Sequence, residues 1–380
     1  MRRTLAGLPI VLGLVFLLLL AYPQRDRMLK GQNDFVAFYA GAKLVGTPDL
    51  YSRAANLATI QETLGFSMVG TTYLRPPFYA VILKPLAALP YRTAYAIFLG
   101  SLLISVLWFV FRFSRECREL PFFAALGVPL LTPLCNGQDT PFLLVILGAS
   151  ILLFRRNRDF LAGLVLSLCA LKFHLFLFLP LLLILKKRWR VLGGGACGSL
   201  ALTALGLLGA GTGSIRQWVA VLRDPWIAPG PESLPNLHGL VLTLNGDIRV
   251  ELLLAATVGL IFLWITLKTE NFEILLAVSL VCGLLTSFHS GTADDILLFP
   301  VFVLVLGSSG NAVFRSLSAL VLTPIPYLMG FAGSPYSTIL PVLLVIWLIA
   351  AAVDAWIARQ ARDRAGLLNA QLQPSGQQAP

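Results

Sequence analysis

"GQNDFVAFYAGAKL", Gly31 to Leu44, sets one acidic residue, Asp34, at the head of an aromatic run just past a long apolar segment. Phe35, Phe38, Tyr39 and Ala42 follow Asp34 at helical spacing. That spacing predicts a helix lying flat on a membrane, with one apolar face. An aspartate before such a helix is the ordinary N-cap residue. A carboxylate at a membrane surface is equally a candidate for acid–base chemistry. The surrounding sequence decides what kind of fold presents it.

Before this stretch runs "MRRTLAGLPIVLGLVFLLLLAYPQR", residues 1–25, with two arginines ahead of an apolar core. It resembles a secretion signal, but no small-x-small cleavage site closes it and many apolar segments follow. An uncleaved first span is expected. The chain is 57% hydrophobic and only 12% charged, and its mean hydropathy is +0.81. A soluble domain carries about twice that charge. The expected fold class is therefore an all-α polytopic integral membrane protein, since helices satisfy their own backbone groups in lipid. About twelve transmembrane helices are predicted, near 5–22, 91–111, 120–134, 139–154, 159–171, 173–185, 191–210, 249–267, 272–288, 295–308, 313–331 and 336–357. Residues 1–365 form one transmembrane domain, with 23–90 as an extracytoplasmic loop bearing interfacial or re-entrant helices. The polar tail 366–380 is rich in Gln and Pro and is expected to be disordered.

The formal net charge is +11. Its basic residues gather at the ends of apolar segments, with no basic and aromatic groove for nucleic acid, so no nucleic-acid partner is expected. The short loops "RFSRECR" (112–118), "RRNR" (155–158), "KKRWR" (186–190) and the tail "RQARDR" (359–364) predict cytoplasmic ends. Both termini then face the cytoplasm, on one condition: "RPPFYAVILKPLAALP" (75–90), interrupted by Pro85, must not cross fully. The expected location is the inner, or plasma, membrane. The first loop also holds Arg25, Arg27, Lys30, Lys43, Arg53, Arg75 and Lys84, an excess suited to lipid phosphate.

This topology puts the embedded polar clusters on one side. They are Asp34, "NGQD" (136–139), "KFH" (172–174), "NLHG" (236–239) and "SFHSGTADD" (287–295). Charged groups near mid-membrane cost roughly 2.5–3.5 kcal/mol each on insertion scales. Their convergence predicts one shared hydrated cavity on the extracytoplasmic face. Each cluster has two readings. Lys172 and His174 either hold an anion such as phosphate, or Lys172 snorkels to the interface. His289, Asp294 and Asp295 suggest a neutral histidine held by a carboxylate and facing a phosphate or hydroxyl, or else a polar loop. A metal is not expected there, because the ligands are few and no HExxH or paired-cysteine pattern occurs. Asn136, Gln138 and Asp139 read as a turn with a cap, or as part of the site, and His238 as a loop residue or a site residue. The five cysteines contain no CxxC pair and read as small core residues.

These pieces together resemble glycosyltransferase family 87, polyprenyl-phosphate-dependent sugar transferases with the GT-C fold. The resemblance runs from about 30 to 310 and rests on the order of "DFVAFYAGAKLV", "LY" (Leu50, Tyr51), "RPPFYAVILKPLAALP", "NGQDTPFLLVILGASILLFRR", "FLAGLVLSLCALKFHLFLFLPLLLILKKRWR" and "SFHSGTADDILLFP". The chain departs at Phe173, where the family commonly has proline, at His238, where arginine is frequent, and in a longer spacing across 289–295. The resemblance implies an inverting membrane enzyme that moves a sugar, mannose first, from a polyprenyl-phosphate donor to a glycolipid or cell-envelope glycan. It implies Asp34 as general base. Lys172, His174, His289 and Arg75 would contact the donor phosphate, with Asp294, Asp295, Gln138 and His238 as further substrate contacts. No cofactor and no divalent ion are expected. The runner-up from another class is a lipid or sugar-lipid flippase, which should carry ionisable groups near mid-span and a cavity open to both sides.

Overall fold

The computed structural model describes residues 2–66, 68, 71–224 and 234–372, and every regular element among them is helical. Helix α1 (Arg2–Ala21) leads through α2 (Arg25–Lys30) to α3 (Phe35–Leu44), α4 (Arg53–Leu64) and α5 (Pro77–Ala87). Then come α6 (Tyr91–Phe113), α7 (Leu120–Ala125), α8 (Val128–Asn136), α9 (Pro141–Arg155) and α10 (Asp159–Leu166). A 3-10 segment, Ser167–Phe176, joins α10 to α11 (Phe178–Leu185). Helices α12 (Trp189–Ala210), α13 (Ser214–Val221), α14 (Leu237–Thr243), α15 (Ile248–Lys268) and α16 (Phe272–Thr286) follow. A 3-10 turn, Asp294–Leu297, opens α17 (Leu298–Ser308), and α18 (Ala312–Leu320), α19 (Pro324–Phe331) and α20 (Ile339–Leu372) complete the chain. By length and composition six helical runs among the described residues can cross a membrane, or seven if α18 and α19, bent by 42°, form one span. The protein is thus a polytopic helical membrane protein.

The bundle has two unlike ends. At one, Arg155 pairs with both Glu116 and Glu273, Ser308 donates to Glu273, Lys186 meets Glu270 and Arg188 meets Asp159. These residues start or finish α9, α10, α11, α16 and α17, so the basic loops share one end. At the other, Tyr91 donates to the Gly31 carbonyl, Arg75 meets Asp139, Lys172 meets Asp294, and Asn236 donates to Ser290. The polar clusters of the sequence share this second end.

Helix length shapes that end. Helix α6 has 23 residues and α12 has 22, whereas α9 and α16 have 15 each. At 1.5 Å per residue the long helices exceed the ~30 Å hydrocarbon layer, while a fifteen-residue helix reaches only about 22 Å. Short inner helices that share the basic end with long outer ones therefore stop inside the bundle. Their polar ends line a bowl.

Close packing builds the frame. A Cβ on Gly163 would stand 1.9 Å from the Val191 carbonyl oxygen, and one on Gly194 would stand 2.0 Å from that of Phe160. Only glycine lets α10 and α12 approach so near, the usual device where lipid supplies no hydrophobic drive between helices. Phe109, Phe113, Phe262, Phe299 and Trp347 fill the main core.

Four expectations meet the structure here, and three of them change. Helix α3 does not lie flat with one face exposed: residues Phe35 to Ala42 are all buried. Helices α4, α5 and α6 cover it, and Phe35 packs on Phe98 at 4.6 Å between ring centroids. Second, the stretch 75–90, expected not to cross fully, starts and ends on one side of the bundle: Arg75 before α5 and Tyr91 after it both sit at the cavity end. The eleven residues of α5 rest on the last turns of α12, with Phe78 against Gly206 and Val81 against Gly209. Third, α20 runs to Leu372, so residues 366–372 of the expected disordered tail are helical. Ala, Leu and Gln there favour helix and no proline intervenes before Pro374; residues 373–380 lie outside the described residues. Fourth, Cys197 is exposed on α12, while Cys117, Cys135, Cys169 and Cys282 are buried.

Candidate functional site

A cavity of about 750 Å³ opens at the polar end. Asp34, Arg75, Gln138, Lys172, His289 and Asp294 all line it, drawn from parts of the chain up to 260 positions apart. Thr71, Thr72, Ser290 and Thr292 add hydroxyls, and Pro326, Tyr327, Phe331 and Leu340 form an apolar wall.

Asp34 is half-buried and makes no side-chain capping bond to α3. That task falls to Asn33, whose Oδ1 accepts from the Phe35 N–H at 3.3 Å. Asn33 Nδ2 donates to the Tyr95 hydroxyl at 2.9 Å and to the Cys135 carbonyl at 3.3 Å. The Asp34 N–H donates to the Asn136 carbonyl at 2.9 Å. Its carboxylate Oδ2 accepts from Gln138 Nε2 at 2.7 Å. The N-cap reading of Asp34 is therefore corrected: backbone and neighbour are tied to the α8–α9 turn, and the carboxylate is left to face the cavity. The turn demands glycine at 137, with φ +61° and an added Cβ only 2.5 Å from Asn33 Oδ1.

Arg75 forms a two-pronged pair with Asp139, at 2.6 Å from Nε and 2.8 Å from Nη2, and Asp139 is 0% exposed. Burial works to lower the Arg75 pKa, but the Asp139 carboxylate outweighs it and raises it above its ordinary value. Of the two readings of Asp139, turn cap or part of the site, its side chain takes, among the described residues, neither a capping bond nor a place on the cavity wall but holds Arg75 in place. Lys172 Nζ meets Asp294 Oδ1 at 2.5 Å, with Lys172 only 5% exposed. The snorkelling reading is thus corrected: the nitrogen ends on a buried carboxylate, not in solvent. Lys172 stands where the backbone turns, φ −135° and ψ 56°, between the rising and returning helical segments. Asp294 Oδ2 also accepts from the Gly291 N–H at 3.0 Å, so it ties Lys172 to the loop carrying His289. Burial pushes the Asp294 carboxyl up, but Lys172 and His174 prevail and hold it below the usual carboxylate range.

Neither cation is unpaired. Each still keeps N–H groups to donate, because a lysine carries three and an arginine five. His289 has no carboxylate partner among the described residues, against the expectation that an acid holds it. Burial and then the Lys172 charge lower its pKa below the ordinary histidine value.

Three expected site residues stand apart. His174 is buried behind His289, ring centroids 6.3 Å apart, and its Nε2 has no partner among the described residues. Asp295 is buried with both oxygens unpartnered among the described residues and off the cavity wall. In the 3-10 turn, adjacent side chains diverge, and Asp294 takes the cavity side. His238 does not reach the cavity: Nδ1 meets Glu251 Oε2 at 2.8 Å, because this face of α14 packs on α15. Among the described residues no three His, Cys, Asp or Glu side chains are grouped as metal ligands. Sequence reasoning missed Asn33, whose only signal was its place beside Asp34. It also missed the apolar wall from α19 and α20, where no polar residue marks a site.

Compared with known families, residues 73–290, more than half of the chain, match the model described as "Glycosyltransferase family 87". No curated protein and no solved structure matches. The matched stretch includes Arg75, Gln138, Lys172, His174, His238 and His289; Asp34, Asp294 and Asp295 lie outside it.

Proposed function

Since the chain belongs to glycosyltransferase family 87, we propose that this membrane glycosyltransferase moves mannose from a polyprenyl-phosphate donor to a lipid-linked or cell-envelope glycan acceptor, with inversion. The proposed frame is GT-C, with about twelve crossings of the inner membrane. Both termini are cytoplasmic and the cavity is extracytoplasmic. The basic loops at the opposite end support that orientation.

One observation carries the reading: the Asp34 carboxylate, steadied by Gln138, faces into the cavity that Lys172, His289 and Arg75 also line. Asp34 takes the proton from the acceptor hydroxyl as that oxygen attacks the anomeric carbon. The carbon–phosphate oxygen bond breaks on the opposite face, and the phosphate leaves as the polyprenyl phosphate. His289 and the spare N–H groups of Lys172 and Arg75 donate to the departing oxygens, where charge develops. Their paired aspartates keep both cations fixed before substrate arrives. Gln138 donates to one oxygen of Asp34 and leaves the other to accept the proton. The apolar wall of Pro326, Phe331 and Leu340 suits the isoprenoid chain. Ionisable groups crowd one end of the bundle, an arrangement that disfavours a flippase.

The test is sugar transfer from synthetic polyprenyl-phosphate mannose, with wild type and Asp34→Asn. Transfer by wild type and its loss in the variant are expected. Robust transfer by Asp34→Asn would sink the mechanism, and lipid translocation without transfer would favour the flippase.

A further inference from the structure

The basic end holds a second cleft, of about 510 Å³, lined by Trp108, Phe111, Arg112, Arg115 and Arg156. It sits where the outer face of α6 meets the end of α9. That face carries exposed Ile97, Leu103, Ile104, Leu107 and Phe111 at helical spacing, an apolar stripe turned away from the bundle. Phe111 is 78% exposed. The stripe runs straight into arginines. Arg112 donates to Glu116 at 2.9 Å, which offsets its charge. Arg115 and Arg156 have no side-chain partner among the described residues. Two positive charges therefore stand at the rim of an apolar groove, at the end where the basic loops gather.

We propose that this cleft binds the headgroup of an anionic phospholipid, with acyl chains along the α6 stripe and the phosphate on Arg115 and Arg156. The charge complementarity identifies the occupant. A zwitterionic lipid offers the same chains but a neutral headgroup, and a free anion gains nothing from the stripe. Guanidinium groups suit phosphate oxygens because they donate in parallel pairs. The site is remote from the sugar cavity and stands whether or not the proposed reaction does.

Native mass spectrometry of the purified full chain, titrated with phosphatidylglycerol or phosphatidylcholine, tests it. Wild type is expected to retain one phosphatidylglycerol at concentrations where phosphatidylcholine is lost. Arg115→Gln with Arg156→Gln should weaken that retention about 25-fold, roughly fivefold per arginine near the surface. Arg118→Gln with Arg190→Gln makes the same charge change at exposed positions of the same end and should leave retention unchanged. Arg115→Lys with Arg156→Lys serves if the glutamine pair lowers the melting temperature, and it should keep binding. Inorganic phosphate at the lipid's concentration should not compete. Equal retention of both lipids overturns the proposal. So does wild-type binding by the glutamine pair, equal weakening by the control pair, loss of binding in the lysine pair, or effective competition by inorganic phosphate.

Discussion

Salt bridges occupy both ends of the bundle, yet they do different work. At the basic end Arg155 and Glu273 are 28% and 27% exposed, and water shares their charge. At the cavity end Lys172–Asp294 and Arg75–Asp139 are buried or nearly so. An exposed pair contributes about 0–1 kcal/mol. A buried pair is costly to break, because each partner left alone is a charge out of water. The sequence shows charges of the same kind at both places. Only at the cavity end are they locked.

The largest test of this contrast is Asp34→Asn; among the described residues Asp34 is the cavity carboxylate with no cation bonded to it. Sugar transfer should fall by about 10²–10⁴-fold, the usual contribution of a positioned base, while the melting temperature in detergent holds. Asp139→Ala should act in the opposite manner, on stability. It strands Arg75 and should cost about 3–5 kcal/mol, read as a lower melting temperature and accompanied by loss of transfer. If melting were unchanged, the cavity pairs would be no more structural than those at the basic end.

Acid separates the ends further. The Asp294 carboxyl is held below its ordinary value of 3.8 in the fold. The unfolded chain then takes up more protons than the native one as pH falls past that value. The contribution is present above pH 3.8 and is lost as pH drops through the folded value. Melting followed from pH 5 downward should show a falling limb, and Asp294→Asn should flatten it. The smallest effect is expected from Glu273→Gln, which breaks the exposed pair at the basic end. It should change stability by about 1 kcal/mol or less and leave transfer intact. A larger loss would erase the distinction between the two ends.

The sequence made the second half of the site legible and left the first half ambiguous. Lys172, His289 and Asp294 were visible because charged residues inside apolar runs must be explained. The break at Lys172, between predicted spans 159–171 and 173–185, matches the backbone turn at that residue. Asp34 and Gln138 were harder to read. Each has an ordinary local use, a cap or a turn, and nothing local separates that use from chemistry. Their distinction lies in the Gln138–Asp34 bond, which spans 104 positions. His238 and Asp295 lie off the cavity for the converse reason: the sequence displays polar identity, but not the face each presents. Burial of α3 was equally hidden, since its apolar stripe fits a bilayer surface as well as a protein interior.

By itself the sequence determined that the chain is helical and membrane-embedded, where its basic loops lie, and which polar residues stand in apolar surroundings. Those properties depend on composition and on order along the chain, because lipid admits only backbone that bonds to itself. The tertiary structure alone decided which aspartate holds which cation, which carboxylate stays uncommitted, and where the short helices stop. Such choices depend on contacts between residues far apart in the chain, and hydrophobic periodicity does not encode the direction in which a side chain points once helices meet.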